Sequence, residues 1–169
     1  MARIAILTAS DRGAAGTRTD ESGDLIESTA ISAGHEVTRR SLVPDDLSSL
    51  ESTLSGWCDE GIADVVITTG GTGLGPRDVT PEATRRIGER DVPGIPIALA
   101  VEGLKHTPFA VLSRGIAVVR RRTLVVNLPG NPKAVNEGLD VLLPIIEHAA
   151  RVLTGPLEHE TAADSGHSS

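Results

Sequence analysis

Val65-Val66-Ile67-Thr68-Thr69-Gly70-Gly71-Thr72-Gly73-Leu74-Gly75-Pro76-Arg77-Asp78-Val79-Thr80-Pro81-Glu82-Ala83 decides how this chain folds. Its first five residues are all β-branched and read as a buried strand. Four glycines within six residues then break the strand, and Thr80-Pro81-Glu82 supplies a cap, a helix-starting proline and an acidic first turn. Glycine lets backbone approach a ligand closely, and successive N–H groups backed by a helix N-terminus form a concavity for anions. Spacing alone leaves two readings open, an anion or phosphate site and a structural turn.

Two common loop classes are excluded. Gly70 and Gly75 have the spacing of a Walker A loop, but Pro76 stands where lysine is required and Arg77 where serine or threonine is required. A dinucleotide fingerprint starting at Gly71-Thr72-Gly73 would need its third glycine at Pro76.

Outward from this loop, apolar strands alternate with helical patterns. Arg3 to Leu7 is a first strand leading into the polar loop Thr8-Ala9-Ser10-Asp11-Arg12-Gly13, and Gly13 to Thr19 is a loop of small residues. Asp20 or Ser22 caps a helix that buries Leu25, Ile26, Ala30 and Ala33 and stops at Gly34. His35 to Val43 is a second strand. Val43-Pro44-Asp45-Asp46 opens a helix with Leu47, Leu50, Leu54, Trp57 and Cys58 at helical spacing. Asp64 to Thr69 is the third strand, and a helix is expected from Thr80 to Arg90. Between Asp91 and Ser113 three prolines interrupt, with a helix over Ile97 to Lys105. Gly115–Val119 and Leu124–Leu128 read as strands joined through Arg120-Arg121-Arg122, one pairing antiparallel. Leu128-Pro129-Gly130-Asn131-Pro132-Lys133 forms a second strand-to-helix turn, and the last helix carries Val135, Leu139, Leu142, Ile146 and Ala150 on one face, bent by Pro144.

The order predicts an α/β three-layer sandwich: a mostly parallel sheet, an antiparallel edge hairpin and helices on both faces. In such sheets ligands bind beyond the carboxyl ends of the strands, where Ser10, Asp45 and the glycine loop all lie. One domain is expected over residues 1–155, followed by a disordered tail over 156–169, which is small, polar and unpatterned.

Composition narrows the function. Of 169 residues, 39% are apolar, but the only aromatics are Trp57 and Phe109, so stacking of nucleic-acid bases has no platform. A formal charge of −7 disfavours nucleic acid and anionic membranes. Cys58, the single cysteine, sits on an apolar helix face and reads as core. No signal-peptide pattern and no long apolar run are present, so a soluble cytoplasmic protein is expected.

The two strand-to-helix turns point together at a ligand with more than one phosphate, with Lys133, Arg77 or Arg114 available to neutralise charge. Lys133 also reads as a solvated first-turn lysine. Asp45 and Asp78 lie at the ends of different strands, as carboxylates holding a magnesium–nucleotide complex do. Helix capping accounts equally for Asp45, and a hydrogen bond fixing the glycine loop is the alternative for Asp78. The five histidines show no metal-ligand spacing and no Gly-x-Ser-x-Gly elbow occurs, so phosphoryl or nucleotidyl transfer is the chemistry favoured.

Thr68 to Gly73, Pro76 to Thr84, Leu112-Ser113-Arg114 and Asn127 to Lys133 resemble, in order, the signatures of the molybdopterin adenylyltransferase family of molybdenum-cofactor biosynthesis (Mog/MoaB type, related to the N-terminal domain of gephyrin). Thr8 to Arg12 and Val43 to Asp46 resemble its remaining signatures. The resemblance implies a homotrimer that takes ATP with Mg2+ and joins AMP to the molybdopterin phosphate, releasing pyrophosphate, with a molybdate-insertion protein as a further partner. It implies Asp45 and Asp78 as catalytic residues, with Asp78 near the metal. Thr69, Gly70, Gly71, Thr72 and Gly73 would bind nucleotide and phosphate; Ser10, Ser113, Pro129, Gly130 and Lys133 would contact pterin or phosphate. A non-catalytic molybdopterin-binding protein of the same pathway is the second reading.

Overall fold

Period-two patterning places one apolar residue on each sheet face in turn, and this builds two cores. The computed structural model describes residues 1–155, so the expected tail over 156–169 lies outside the described residues. Its strands are β1 (Arg3–Ala9), β2 (Glu36–Val43), β3 (Val65–Thr69), β4 (Arg90–Asp91), β5 (Ala117–Arg120) and β6 (Thr123–Leu128). They form one sheet in the order β2-β1-β3-β6-β5-β4. The β2, β1, β3 and β6 neighbours pair in parallel, while β4–β5 and β5–β6 are antiparallel. The helices are α1 (Asp11–Ala14), α2 (Glu21–Ser32), α3 (Leu47–Asp59), α4 (Thr80–Ile87), α5 (Gly94–Leu104) and α6 (Pro132–Thr154).

Ile4, Ile6, Val65, Ile67 and Val126 pack on one face against Ile26 of α2 and Leu139, Leu142 and Ile146 of α6. Ala5, Leu7, Val66 and Val125 face the other way, against Leu50, Leu54 and Trp57 of α3 and Ala83 and Ile87 of α4. Each fully buried leucine or isoleucine contributes about 1.5–3 kcal/mol relative to exposure. The sandwich with a mostly parallel sheet and an antiparallel edge is thus the architecture observed.

Local differences from the sequence expectation have identifiable causes. The helix expected to reach Arg90 ends at Ile87, and Gly88 takes an extended conformation. A side-chain carbon on Gly88 would lie 2.8 Å from Val118, so glycine allows Arg90 and Asp91 to pair with Val119 and Val118 as a sixth strand. α5 begins at Gly94 rather than Ile97, because Pro93 and Pro96 fall at its N-terminal end, where a missing N–H costs nothing. Pro108 starts a 3₁₀ turn over Pro108–Leu112, capped by Thr107. Ser10 caps the short α1, which occupies part of the expected loop. Pro144 lies inside α6 without ending it.

Cys58 is buried, and that burial pushes its thiol up to about 11, as suits a packing residue. Among the described residues, no helix is long and apolar enough to cross a membrane.

Candidate active site

The site forms where β1, β3 and β6 end side by side. In β3, Thr68 and Thr69 are fully buried, and β6 runs parallel to it with Thr69 opposite Leu128. Both strands therefore release their loops at the same level. Two bonds stitch the two turns together, Thr69 Oγ1 donating to the Pro129 carbonyl at 2.6 Å and Gly70 N–H to the Leu128 carbonyl at 3.3 Å, while Ser22 Oγ of α2 braces the second turn by donating to the Gly130 carbonyl at 2.7 Å. A side-chain carbon on Gly130 would lie 3.2 Å from Gly70 Cα, so backbone meets backbone there.

Glycine is required at two positions of the first turn. Gly70 has φ +90° and Gly71 φ +66°, both left-handed. A side-chain carbon on Gly70 would come 2.3 Å from the Ala9 carbonyl oxygen, and one on Gly71 2.4 Å from Thr80 Oγ1. Thr80 is the first residue of α4 rather than its cap; its hydroxyl donates to the Gly70 carbonyl at 2.9 Å and its N–H to the Gly71 carbonyl at 3.1 Å. These contacts fix the backbone on which the loop's donors are carried. The N–H groups of Gly71, Thr72, Gly73, Gly130 and Asn131 donate to no acceptor among the described residues. Donors left free on two facing turns suit an anionic ligand.

Two cavities open on either side of the stitched turns. One, of about 520 Å³, is lined by Ser10, Asp11, Asp20, Asp45, Thr69 and Gly70 among others. The other, of about 700 Å³, is lined by Thr72, Gly73, Leu99, Ser113, Asn127 and Pro129 among others. Gly71, Asp78, Gly130 and Asn131 belong to both walls.

Asp45 is not a helix cap. Asp46 caps α3, accepting from Ser49 N–H at 2.9 Å, which leaves the Asp45 carboxylate on the cavity wall. Asp45 and Asp11 are joined reciprocally: Asp11 N–H donates to Asp45 Oδ2 at 2.9 Å, and Asp45 N–H to Asp11 Oδ1 at 3.0 Å. Burial raises the Asp45 carboxyl above the ordinary range; the Asp11 N–H opposes this, and the charges of Asp11 and Asp78 add to it. Asp11 is held low, first by the Arg77 guanidinium.

Asp78 does fix the glycine loop, accepting from Gly75 N–H at 2.9 Å, and it also lines both cavities. Loop fixing and ligand contact are therefore compatible roles for one carboxylate. Both acids fit a magnesium ion that retains waters and takes further oxygens from a bound phosphate, since Mg2+ is usually held by one or two carboxylates. Among the described residues no three metal-ligating side chains converge, so a cage made wholly of protein is not what the site offers.

Of the basic residues expected to neutralise phosphate, two are already committed. Arg77 is paired with Asp11. Arg114 holds the glycine loop: its N–H donates to the Thr72 carbonyl at 2.8 Å, Nε to the Gly73 carbonyl and Nη2 to the Asp78 carbonyl, both at 2.7 Å, and Nη1 pairs with Glu82. Lys133 is exposed in the first turn of α6 and lines neither cavity. The structure gathers Ser10, Asp45, Thr69, Gly70, Gly71, Thr72, Gly73, Asp78, Ser113, Pro129 and Gly130 around the two cavities and leaves Lys133 outside.

Sequence reasoning missed Asp11 as a partner of Asp45, and it missed the buried support beneath the loops. Asn127 Nδ2 donates to Thr68 Oγ1 and Thr84 Oγ1, each at 2.9 Å, and its Oδ1 accepts from Ile116 N–H at 3.1 Å. A polar Asn inside the apolar strand Thr123–Leu128 was the available signal.

Comparison with known proteins identifies the family. Residues 5–148 match the family model described as "Probable molybdopterin binding domain". A protein of Helicobacter pylori (strain J99) named molybdopterin adenylyltransferase is 36% identical over 159 residues, covering 90% of this chain and 88% of that protein. Its namesake in Escherichia coli K12 is 38% identical over 141 residues, covering 82% and 72%. The crystal structure of the molybdopterin biosynthesis enzyme MoaB from Thermus thermophilus superposes with a TM-score of 0.86 at 45% identity, covering 92% of this chain and 98% of that one. With the family model matched over most of its length, and with the glycine loop and the Pro129–Lys133 turn built as one site, the chain belongs to the molybdopterin-binding domain family of molybdenum-cofactor biosynthesis.

Proposed function

We propose that this protein adenylylates molybdopterin. An oxygen of the molybdopterin phosphate attacks the α-phosphorus of ATP, a new P–O bond forms, the bond between the α-phosphorus and the α–β bridging oxygen breaks, and pyrophosphate leaves. The observation that carries this reading is the shared wall of Gly71, Asp78, Gly130 and Asn131, which gives two ligands a common boundary at one carboxylate. The relatives named molybdopterin adenylyltransferase support the same assignment.

In this reading the free N–H groups of Gly71, Thr72 and Gly73 bind phosphate oxygens and stabilise charge that develops at the α-phosphorus. Thr69 and Gly70 shape that turn, Gly130, Pro129 and Ser113 orient the pterin phosphate at the second turn, and Ser10, which lines the smaller cavity, contacts phosphate from that side. The smaller cavity is lined by Asp11, Asp20, Glu21, Asp45 and Asp78 against Arg12 and Arg18, a poor host for a bare triphosphate. Asp78 and Asp45 would hold the Mg2+ that accompanies ATP, and its positive charge would make the acidic wall favourable to the triphosphate. Lys133 would reach the site only by reorienting its exposed side chain.

Residues 1–155 carry the activity as one domain of a cytoplasmic homotrimer, which passes its product to a molybdate-insertion protein. The exposed apolar residues Ile97, Val101 and Leu104 of α5, with Phe109, Val111 and Leu112, support a subunit contact. Sedimentation equilibrium tests this, and a monomer at micromolar concentration counts against it.

The decisive experiment incubates pure protein with molybdopterin, ATP and Mg2+. Adenylylated molybdopterin and stoichiometric pyrophosphate are expected. Tight molybdopterin binding without pyrophosphate would instead identify a non-catalytic binding protein.

A further inference from the structure

Glu137 sits in the second turn of α6 and lines the larger cavity. Its side chain is only 12% exposed, yet it accepts no hydrogen bond among the described residues. The ionisable side chain beside it is His106, whose Nδ1 lies 3.5 Å from Oε1, too far for a hydrogen bond; the other ring nitrogen lies 3.5 Å from Glu102. A largely buried carboxylate without donors of its own, facing a cavity, is a group prepared for donors that arrive with a ligand.

Glu137 lies six residues beyond Asn131 along α6, about 9 Å at 1.5 Å per residue, which sets it apart from the second turn on the wall of the same cavity. The glycine turns contribute the free N–H donors of Gly71, Thr72 and Gly73, where an anionic group fits. Leu99, Ala100 and Ala134 offer apolar surface, and no Lys or Arg lines the cavity. Such a cavity suits a ligand with an anion at one end, a flat body, and neighbouring N–H donors at the other. We propose that Glu137 is the specificity-determining residue for the heterocycle of molybdopterin, its two oxygens accepting from the ring N3–H and the 2-amino group side by side. The inference rests on the proposal that molybdopterin is the ligand. A carboxylate only accepts hydrogen bonds, so a pteridine with oxygen in place of the 2-amino group presents an acceptor to an acceptor and is rejected.

The test is an anaerobic titration of the full chain with molybdopterin, followed by pterin fluorescence, for the wild type, Glu137→Gln and Glu137→Ala, together with adenylylation kinetics. Thermal unfolding serves as the control for folding, and Glu137 makes no hydrogen bond whose loss would disturb it. Both variants are expected to raise the Kd and KM for molybdopterin by about 10- to 100-fold, with kcat within about twofold and the KM for ATP unchanged. Wild-type pterin affinity in Glu137→Gln overturns the inference and leaves the proposed function standing. Equal losses for ATP and molybdopterin also overturn it, as the mark of a structural role. A wild-type protein that binds no molybdopterin sinks both.

Discussion

Arg77 of the glycine loop and Asp11, the first residue of α1, form a two-point ion pair, Nε to Oδ2 at 3.0 Å and Nη2 to Oδ1 at 2.9 Å. Asp11 in turn holds Asp45 through their reciprocal backbone bonds, so the exposed loop is tied to a half-buried carboxylate through one residue. Both side chains of the pair are well exposed, at 65% and 43%, so Arg77→Ala is expected to leave stability close to that of the wild type. Its effect falls on function: the KM for ATP rises severalfold while molybdopterin affinity holds. Arg77→Lys does not restore the wild-type KM, because an ammonium cannot make the two-point pair. Steady-state kinetics with both substrates varied, alongside thermal melts, reads all of this.

Asp78 combines loop fixing with charge, and two substitutions separate them. Asp78→Asn keeps an oxygen to accept from Gly75 N–H and so keeps the fold, but turnover is expected to fall about 10²-fold or more through lost electrostatic stabilisation and metal contact. Asp78→Ala loses the bond as well and is expected to be about 1–2 kcal/mol less stable than Asp78→Asn. Denaturant midpoints and pyrophosphate release measure the two effects. Full turnover in Asp78→Asn removes the proposed metal role.

Asp45 sets a pH dependence. Its folded carboxyl is raised, so between its unfolded and folded values the folded state binds more protons than the unfolded state, and stability falls as pH rises through that window. Asp45→Asn removes this slope and is expected to be more stable than wild type above the window, while losing activity. Asp11 has the opposite sign: its carboxyl is lowered, so its contribution is present above the unfolded value and is lost as pH falls through the folded one. Melting temperatures of wild type, Asp45→Asn and Asp11→Asn across acid to neutral pH separate the two. If Mg2+ binds these acids, it raises the wild-type melting temperature and not that of Asp45→Asn.

Gly70→Ala adds a carbon 2.3 Å from the Ala9 carbonyl oxygen at φ +90°, and strain and clash together are expected to cost about 2 kcal/mol or more. Gly56→Ala is the control, since a carbon at that helical position meets nothing within 4 Å and the change should be neutral or stabilising. A melting temperature for Gly70→Ala equal to that of the control removes the conformational requirement.

The sheet and its main helices were legible because each rests on local periodicity. Val65 to Thr69 is β-branched throughout, and Leu50, Leu54, Trp57 and Cys58 recur at helical spacing, so packing follows from pattern. Arg90-Asp91 was not legible as a strand, since two charged residues carry no alternation and pair only because Gly88 admits Val118. In the site, the loops announced themselves through glycine and proline. Which charged residue meets which did not: Arg77 and Arg114 looked free for phosphate, yet one serves Asp11 and the other serves carbonyls, pairings set by loops distant in sequence. Asp45 and Asp46 are indistinguishable to a capping rule, and only the observed bond to Ser49 tells them apart.

The bonds from Thr69 and Gly70 to the Pro129 and Leu128 carbonyls hold the two turns together, and the close approach of Gly130 to Gly70 keeps them from closing further. Under the proposed function the nucleotide and the pterin address one partition, whose residues Gly71, Asp78, Gly130 and Asn131 line both cavities. Thermodynamic reciprocity then applies: whatever factor ATP contributes to the affinity for molybdopterin, molybdopterin contributes to the affinity for ATP, whichever substrate enters first.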